Sequence, residues 1–211
     1  MDPIPAAWPP HPAGGDPRKR VVPLFPLLNV WLFPYVVLPL HVSEERYRRM
    51  IEDSLDGPGR IVLGTVAEEH KDELAGSPPV LPVAGLGEIG RHQRLPDGGF
   101  QILLVGLQRV RVREVPSDRP YRRVEIEPVI EVQIRREHEP KVRADLVAAI
   151  LERTEKLTAI PPQVPTSHLA DLLALRMPLP PPEMNRLYGE LDVEARARAA
   201  LELHARLPGL E

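Results

Sequence analysis

The chain has 211 residues, a mass of 23.6 kDa and a formal net charge of −3. That is enough polypeptide for a substantial core, with no global pull toward nucleic acid or anionic lipid. The lack of cysteine excludes a disulfide framework, an Fe–S cluster and a thiol nucleophile. No stretch approaches the roughly 18 apolar residues of a membrane span, and no signal-type apolar run opens the chain, which therefore reads as cytoplasmic with no membrane partner.

Residues 1–20, MDPIPAAWPPHPAGGDPRKR, hold six of the 27 prolines and no hydrophobic period. This is the composition of a disordered Pro-rich tail. From 21 to 136 the dominant period is two, the signature of half-buried strands. Val21–Leu28 and Val36–Val42 read as strands, and Pro23, Pro26, Pro34 and Pro39 confine them to edges or bulges because proline lacks the N–H of a ladder bond. Ser43 is the expected N-cap of a helix whose Tyr47, Met50, Ile51 and Leu55 share one face before Gly57-Pro58-Gly59.

Arg60–Glu68 is a further strand, followed by a loop over Glu69–Leu81. Around LPDGG, the runs GLGEIGRHQR and FQILLVGLQRVRVREV form a hairpin. In the second run Val110 and Val112 are expected to face the core, with Arg109, Arg111 and Arg113 outward. Tyr121–Val132 alternates likewise. About six strands with no βαβ rhythm favour a small mixed sheet or closed barrel over a doubly wound fold.

From 137 to 211 the period becomes 3.6. Val142, Leu146, Ile150 and Leu157 stripe a long helix that stops before Pro161. Helices over Ser167–Arg176, Pro182–Glu190 and Val193–Leu207 follow, the last capped by Asp192. The fold class is α+β, a β-rich part followed by a helical bundle.

Several chemistries are missing from the sequence. There is no G-x-x-x-x-G-K-[ST] phosphate cradle, and none of the lysines at 19, 71, 141 and 156 sits in a motif that pairs it with a serine. Seven scattered histidines include no H-E-x-x-H, so neither metal nor cofactor is expected. Between Gln108 and Arg136 arginines outnumber acids. Arg109, Arg111, Arg113, Arg122 and Arg123 form either a basic face suited to RNA or a cross-strand ladder of ion pairs with Glu125 and Glu127. The strands lack the aromatic interleaving of a base-stacking platform.

The corner Trp31-Leu32-Phe33-Pro34-Tyr35 holds three of the few aromatic residues in the chain. Read as an extended segment, it points Trp31, Phe33 and Tyr35 one way. Left uncovered, that face is an apolar patch for another chain, extended by Tyr47 on the helix that follows. Covered, it plugs one end of the barrel.

Four blocks in order, LFPLLNVWLFP, VLPLHVSEERYRRM, GLGEIGRHQRLPDGGFQILLVGLQRVRV and LADLLALRMPLPPPEMNRLYGELDVEARARAALE, resemble the N-terminal, substrate-binding domain of the Lon proteases. The resemblance covers residues 21 to 207 and implies a PUA-like pseudo-barrel followed by helices. It implies a non-enzymatic module that binds unfolded or degron-bearing polypeptides, as an adaptor or regulator in protein quality control with a protease as a further partner. RNA binding through the basic face is the alternative. The domain carries no catalytic residues in that family. Tyr35 stands where glycine often follows the L-F-P corner, and Ser43 and Glu45 stand where phenylalanine and proline are usual.

Overall fold

The computed structural model of the protein describes residues 20–154 and 158–208. The expected tail, apart from Arg20, and Leu157 of the expected helical stripe lie outside the described residues. The chain forms two compact units, one ending at Val129 and the other beginning at Ile130. The division precedes the change of period near 137 because Val132 is tied to the helices. Its N–H donates to the Leu191 carbonyl at 2.9 Å, and its carbonyl accepts from Val193 N–H at 3.0 Å.

In the first unit, strands β1 (Arg20–Leu28), β2 (Val37–Val42), β3 (Arg60–Val66), β4 (Val83–Arg94), β5 (Phe100–Val115) and β6 (Arg123–Pro128) make one mixed sheet. Helix α1 (Glu45–Leu55) joins β2 to β3, and a 3-10 turn over Glu68–Glu73 occupies part of the expected loop. The strand order is β2-β5-β4-β3-β1-β6, and β6 pairs again with β5. The long β5 serves both partners: residues 100–105 pair with β2 and residues 110–115 with β6. β2 therefore stands outside the cycle of pairings, at the end of the sheet.

β1 and β3 are parallel, with Leu24 opposite Val62. Successive residues of these strands serve different cores. Phe25, Ile61 and Leu63 pack with Tyr47, Met50 and Ile51 of α1, whereas Val22, Leu24 and Val62 pack with Val110, Val124 and Ile126. A strand buried on both faces reads as a continuous apolar run, which is why RIVLGTV shows no alternation. The hairpin turn is as the sequence predicts: Gly98 takes a φ of 82°, and its N–H donates to the Leu95 carbonyl. Helix α1 starts one residue later than expected. Glu44 occupies the cap position and no side chain caps it, so Ser43 does not act as N-cap.

Tyr121 ties the approach to β6 back to α1. Its hydroxyl donates to Asp53 Oδ2 at 2.8 Å, and Arg119 and Arg49 flank the same carboxylate at 3.2 and 3.0 Å.

The second unit holds α2 (Glu139–Glu152), α3 (Thr166–Leu175), α4 (Pro181–Gly189) and α5 (Val193–Arg206). α2 stops well before Pro161, and Arg143 donates to the Pro161, Pro162 and Val164 carbonyls of the connection that follows. Val142, Leu146 and Ile150 are buried, and Asp192 caps α5 by accepting from Ala195 N–H at 3.0 Å. One charged cluster sits among the apolar side chains. Arg196 is 0% exposed; its Nε lies 3.0 Å from Asp171 Oδ1 and its Nη2 2.7 Å from Glu131 Oε1, while Nη1 donates to the Glu190 carbonyl. A buried cation needs such partners, because unpaired it costs several kcal/mol. Among the described residues no helix is long and apolar enough to cross a membrane.

Three outcomes follow from these contacts. Asp171→Ala strips one carboxylate from a buried guanidinium and should lower stability by about 3–5 kcal/mol in urea denaturation. Gly106→Ala should cost about 3 kcal/mol, because a Cβ at Gly106 overlaps the Phe33 carbonyl oxygen; an unchanged unfolding midpoint would mean that the strand yields there. Burial, reinforced by the bond to Asp53, pushes the Tyr121 hydroxyl up to about 12. A group raised in the folded state contributes stability that is complete below its unfolded value near 10 and is lost as pH rises toward 12. Tyr121→Phe should therefore remove one step near pH 12 from a tyrosine absorbance titration and flatten the loss of stability over that window.

Candidate functional site

The aromatic corner is a turn, and this redistributes its side chains. Pro34 and Tyr35 are its central residues, Val36 N–H donates to the Phe33 carbonyl at 3.3 Å, and Tyr35 takes a φ of 64°. Proline followed by a residue of positive φ is the type II pattern, in which glycine is the usual third residue. The side-chain alternation of an extended segment does not apply here. Phe33 is 0% exposed and Leu32 1%, whereas Tyr35 is 44% exposed; Trp31 and Pro34 are half-buried.

Glycines form the seat of this turn. Gly106 N–H donates to the Val36 carbonyl at 2.9 Å, and its own carbonyl accepts from Tyr35 N–H at 2.8 Å. A side chain at Gly87, opposite Gly106 in the β4–β5 ladder, would run into Leu32 and Leu104. The sequence reading of one aromatic face is thus corrected: Leu32 and Phe33 are core. Tyr47 is core as well, 6% exposed and with its ring 4.7 Å from that of Phe25. Burial raises its hydroxyl pKa. Trp31, Pro34 and Tyr35 remain as the part of the expected site that reaches the surface.

The arginines also divide. Arg109 was expected to face outward, but it is 4% exposed, with its guanidinium 5.2 Å from the Phe33 ring. The alternation itself holds, with Val110 in the core and Arg111 and Arg113 exposed, but the Phe33 ring of the corner covers the face that Arg109 shares with them. Arg113 pairs with Glu125, Arg122 with Glu114 at 2.6 Å, and Arg123 lies 3.6 Å from Asp118. The hydrogen bond from Arg122 holds the Glu114 carboxyl below its usual value. Arg111 is exposed, opposite Glu127 in the ladder. Of the expected cross-strand ladder the structure shows the Arg113–Glu125 pair and the Arg111–Glu127 register, while Arg122 and Arg123 take Glu114 and Asp118 as partners instead.

Register assembles a second surface that no sequence window contains. Val37, Pro39 and His41 are exposed on one side of β2, while Leu38, Leu40 and Val42 turn toward the core. Leu103 lies opposite Pro39, Gln101 opposite His41, and Arg91 opposite Leu103. Tyr35, Val37 and Leu103 are 44%, 48% and 36% exposed and form an apolar rim. Beyond it lies a groove of about 760 Å³ lined by Pro39, His41, Arg91, His92 and Gln101 among others. The one sequence signal for this surface was Pro39, which marks β2 as an edge.

Residues 21–206 match the family described as the ATP-dependent protease La (LON) substrate-binding domain. The Lon protease of Heliobacterium modesticaldum is 28% identical over 201 residues, which cover 88% of this chain and 24% of that protein. The Lon protease of Escherichia coli K12 is 30% identical over 184 residues, covering 83% of this chain and 23% of that protein. The chain spans about a quarter of the length of the curated relatives it matches. Among solved structures, the N-terminal domain of Mycobacterium avium complex Lon protease superposes with a TM-score of 0.68 at 18% identity, over 90% of this chain and 100% of that one. The Lon N-terminal domain protein from Xanthomonas campestris gives 0.62 at 25% identity, over 90% and 99%. The match is to the substrate-binding region of these proteases and not to their ATPase and peptidase modules. The chain belongs to the Lon substrate-binding domain family.

Proposed function

We propose that this chain is a recognition module that binds unfolded or degron-bearing polypeptides in the cytoplasm, without chemistry of its own, as an adaptor or regulator in protein quality control with a protease as a further partner. The observation that carries the reading is the match of residues 21–206 to a substrate-binding domain. The cyclic pairing of β5, β4, β3, β1 and β6 supports the finer description of the first unit as a PUA-like pseudo-barrel. The contact surface in this proposal is the exposed part of the aromatic corner, Trp31, Pro34 and Tyr35, continued by Val37 and Leu103. Aromatic side chains give large contact area at small entropic cost, and a few such anchors carry most of an interface's energy. The arginine ladder spends its charge on neighbouring carboxylates, so no observation favours RNA as the ligand.

Tyr35 separates recognition from folding. Glycine adopts the φ of 64° without steric cost, so Tyr35→Gly should melt within a few degrees of the parent chain. It should weaken binding to carboxymethylated, unfolded lactalbumin about thirtyfold, the effect of truncating a strong anchor. Phe33→Ala, in contrast, should cost about 3–5 kcal/mol of stability. Fluorescence anisotropy and thermal melts read the two effects, and full affinity in Tyr35→Gly would remove the corner from the site.

A further inference from the structure

At the β2 end of the sheet, the side chains that turn away from the core fall into two rows across three strands. Pro39, Leu103 and Arg91 stand side by side in one row, and His41, Gln101 and Gln93 in the next; all six residues are exposed. The core takes the alternate residues of β5, Ile102 and Leu104. The register shift between Ile89 and Arg91 brings Gly90 onto the outward face as well, where a Cβ would stand 3.1 Å from Val105 Cγ2. Gly90 has none, so the flank of Leu103 next to Arg91 stays open.

Arg91 differs from the arginines around it. Arg60 holds Glu88, one step along the same face, at 3.1 Å, and Arg94 holds Glu52 at 3.1 Å. Among the described residues no carboxylate pairs with Arg91 or lines the groove beside it. An unneutralised guanidinium next to an exposed leucine suits a ligand that carries a carboxylate close to an apolar group.

An internal stretch of polypeptide meets that requirement badly. In an extended chain adjacent side chains point to opposite sides, and those on one side stand about 6.5 Å apart. Cross-strand neighbours such as Leu103 and Arg91 are only about 5 Å apart at Cα. Peptide groups laid on this face would also find the N–H and C=O groups of β5 spent on β2 and β4, and burying them unpaired is costly. The last residue of a chain, in contrast, carries its carboxylate and its side chain on one carbon.

We infer that this face captures the C-terminus of a polypeptide whose last residue is apolar, an inference that rests on the polypeptide-binding reading given above. Arg91 holds the α-carboxylate, the Gln93 and Gln101 amides supply further donors, and the last side chain lies against Leu103, Gly90 and Pro39. The residues before it lead over Val37 to Tyr35, the contact surface already proposed.

The test uses the full chain and short peptides that carry fluorescein at the N-terminus and end in Val-Leu. One has a free carboxylate, a second a C-terminal amide, and a third an amide with glutamate two residues before the end. Anisotropy should show the amide binding about tenfold more weakly than the free acid, the effect of losing a charge-assisted bond. The glutamate should not restore the loss, and a terminal serine in place of leucine should weaken the free acid several-fold. Arg91→Gln alters an exposed side chain and should leave the melting temperature unchanged. It should weaken the free acid by about tenfold and the amide not at all, so that the two losses do not add. Equal affinity for acid and amide, rescue by glutamate, or indifference to Arg91→Gln or to the last side chain overturns the inference; if unfolded lactalbumin still binds, the polypeptide-binding reading stands. If neither the peptides nor lactalbumin bind, both fall. Arg91-dependent binding of the free acid without lactalbumin would uphold the site and remove unfolded chains as its ligands.

Discussion

The contact on which the first unit turns is the close approach of the aromatic corner to β5 at Gly106. The Phe33 carbonyl lies where a Cβ would stand, and two backbone hydrogen bonds lock Tyr35 and Val36 to the same residue. This seat fixes the point at which β2 begins, the phase in which it pairs, and hence which of its residues face the core. It also buries Phe33 far enough for Arg109 to lie against its ring. Everything offered to a partner on that side inherits its position from a residue without a side chain.

A different constraint governs the helical unit. Arg196 draws Glu131, from the segment before α2, and Asp171, from α3, onto α5. Apolar side chains of the same volume would often stabilise as well or better, but a guanidinium accepts partners only in its own plane and at its own distances. The cluster therefore acts on the arrangement of the helices more than on the depth of their free-energy minimum. It also explains why residues 130–136 belong with the helices.

Most elements were legible because each has a local cause. Asp192 announces α5 by its own hydrogen bond, LPDGG supplies the positive φ its turn demands, and Tyr47, Met50 and Ile51 recur at helical spacing. The errors share a different origin. The corner was read with the periodicity of a strand, whereas Pro34 and a positive φ at Tyr35 make it a turn, so neighbours in sequence part company in space. The substitution of tyrosine for the usual glycine was visible; its backbone meaning was not. Arg109 was placed outward by an alternation that does hold beyond it, but the aromatic corner covers that face at its position. The groove beside β2 had no local signal beyond Pro39, because Arg91, His41 and Leu103 meet only through the register of three strands.

The proline in β2 has a consequence for the protein's own solubility. A bare strand at the end of a sheet invites identical molecules to stack side by side, and stacks of that kind grow into fibres because each added chain offers the next one a complete set of bonds. Pro39 breaks that set in every copy, since it can accept a bond at the edge but cannot return one. Growth by repetition is interrupted at each step, while a single foreign segment has only one gap to tolerate. The same residue that marks the edge in the sequence thus keeps it from becoming a seed.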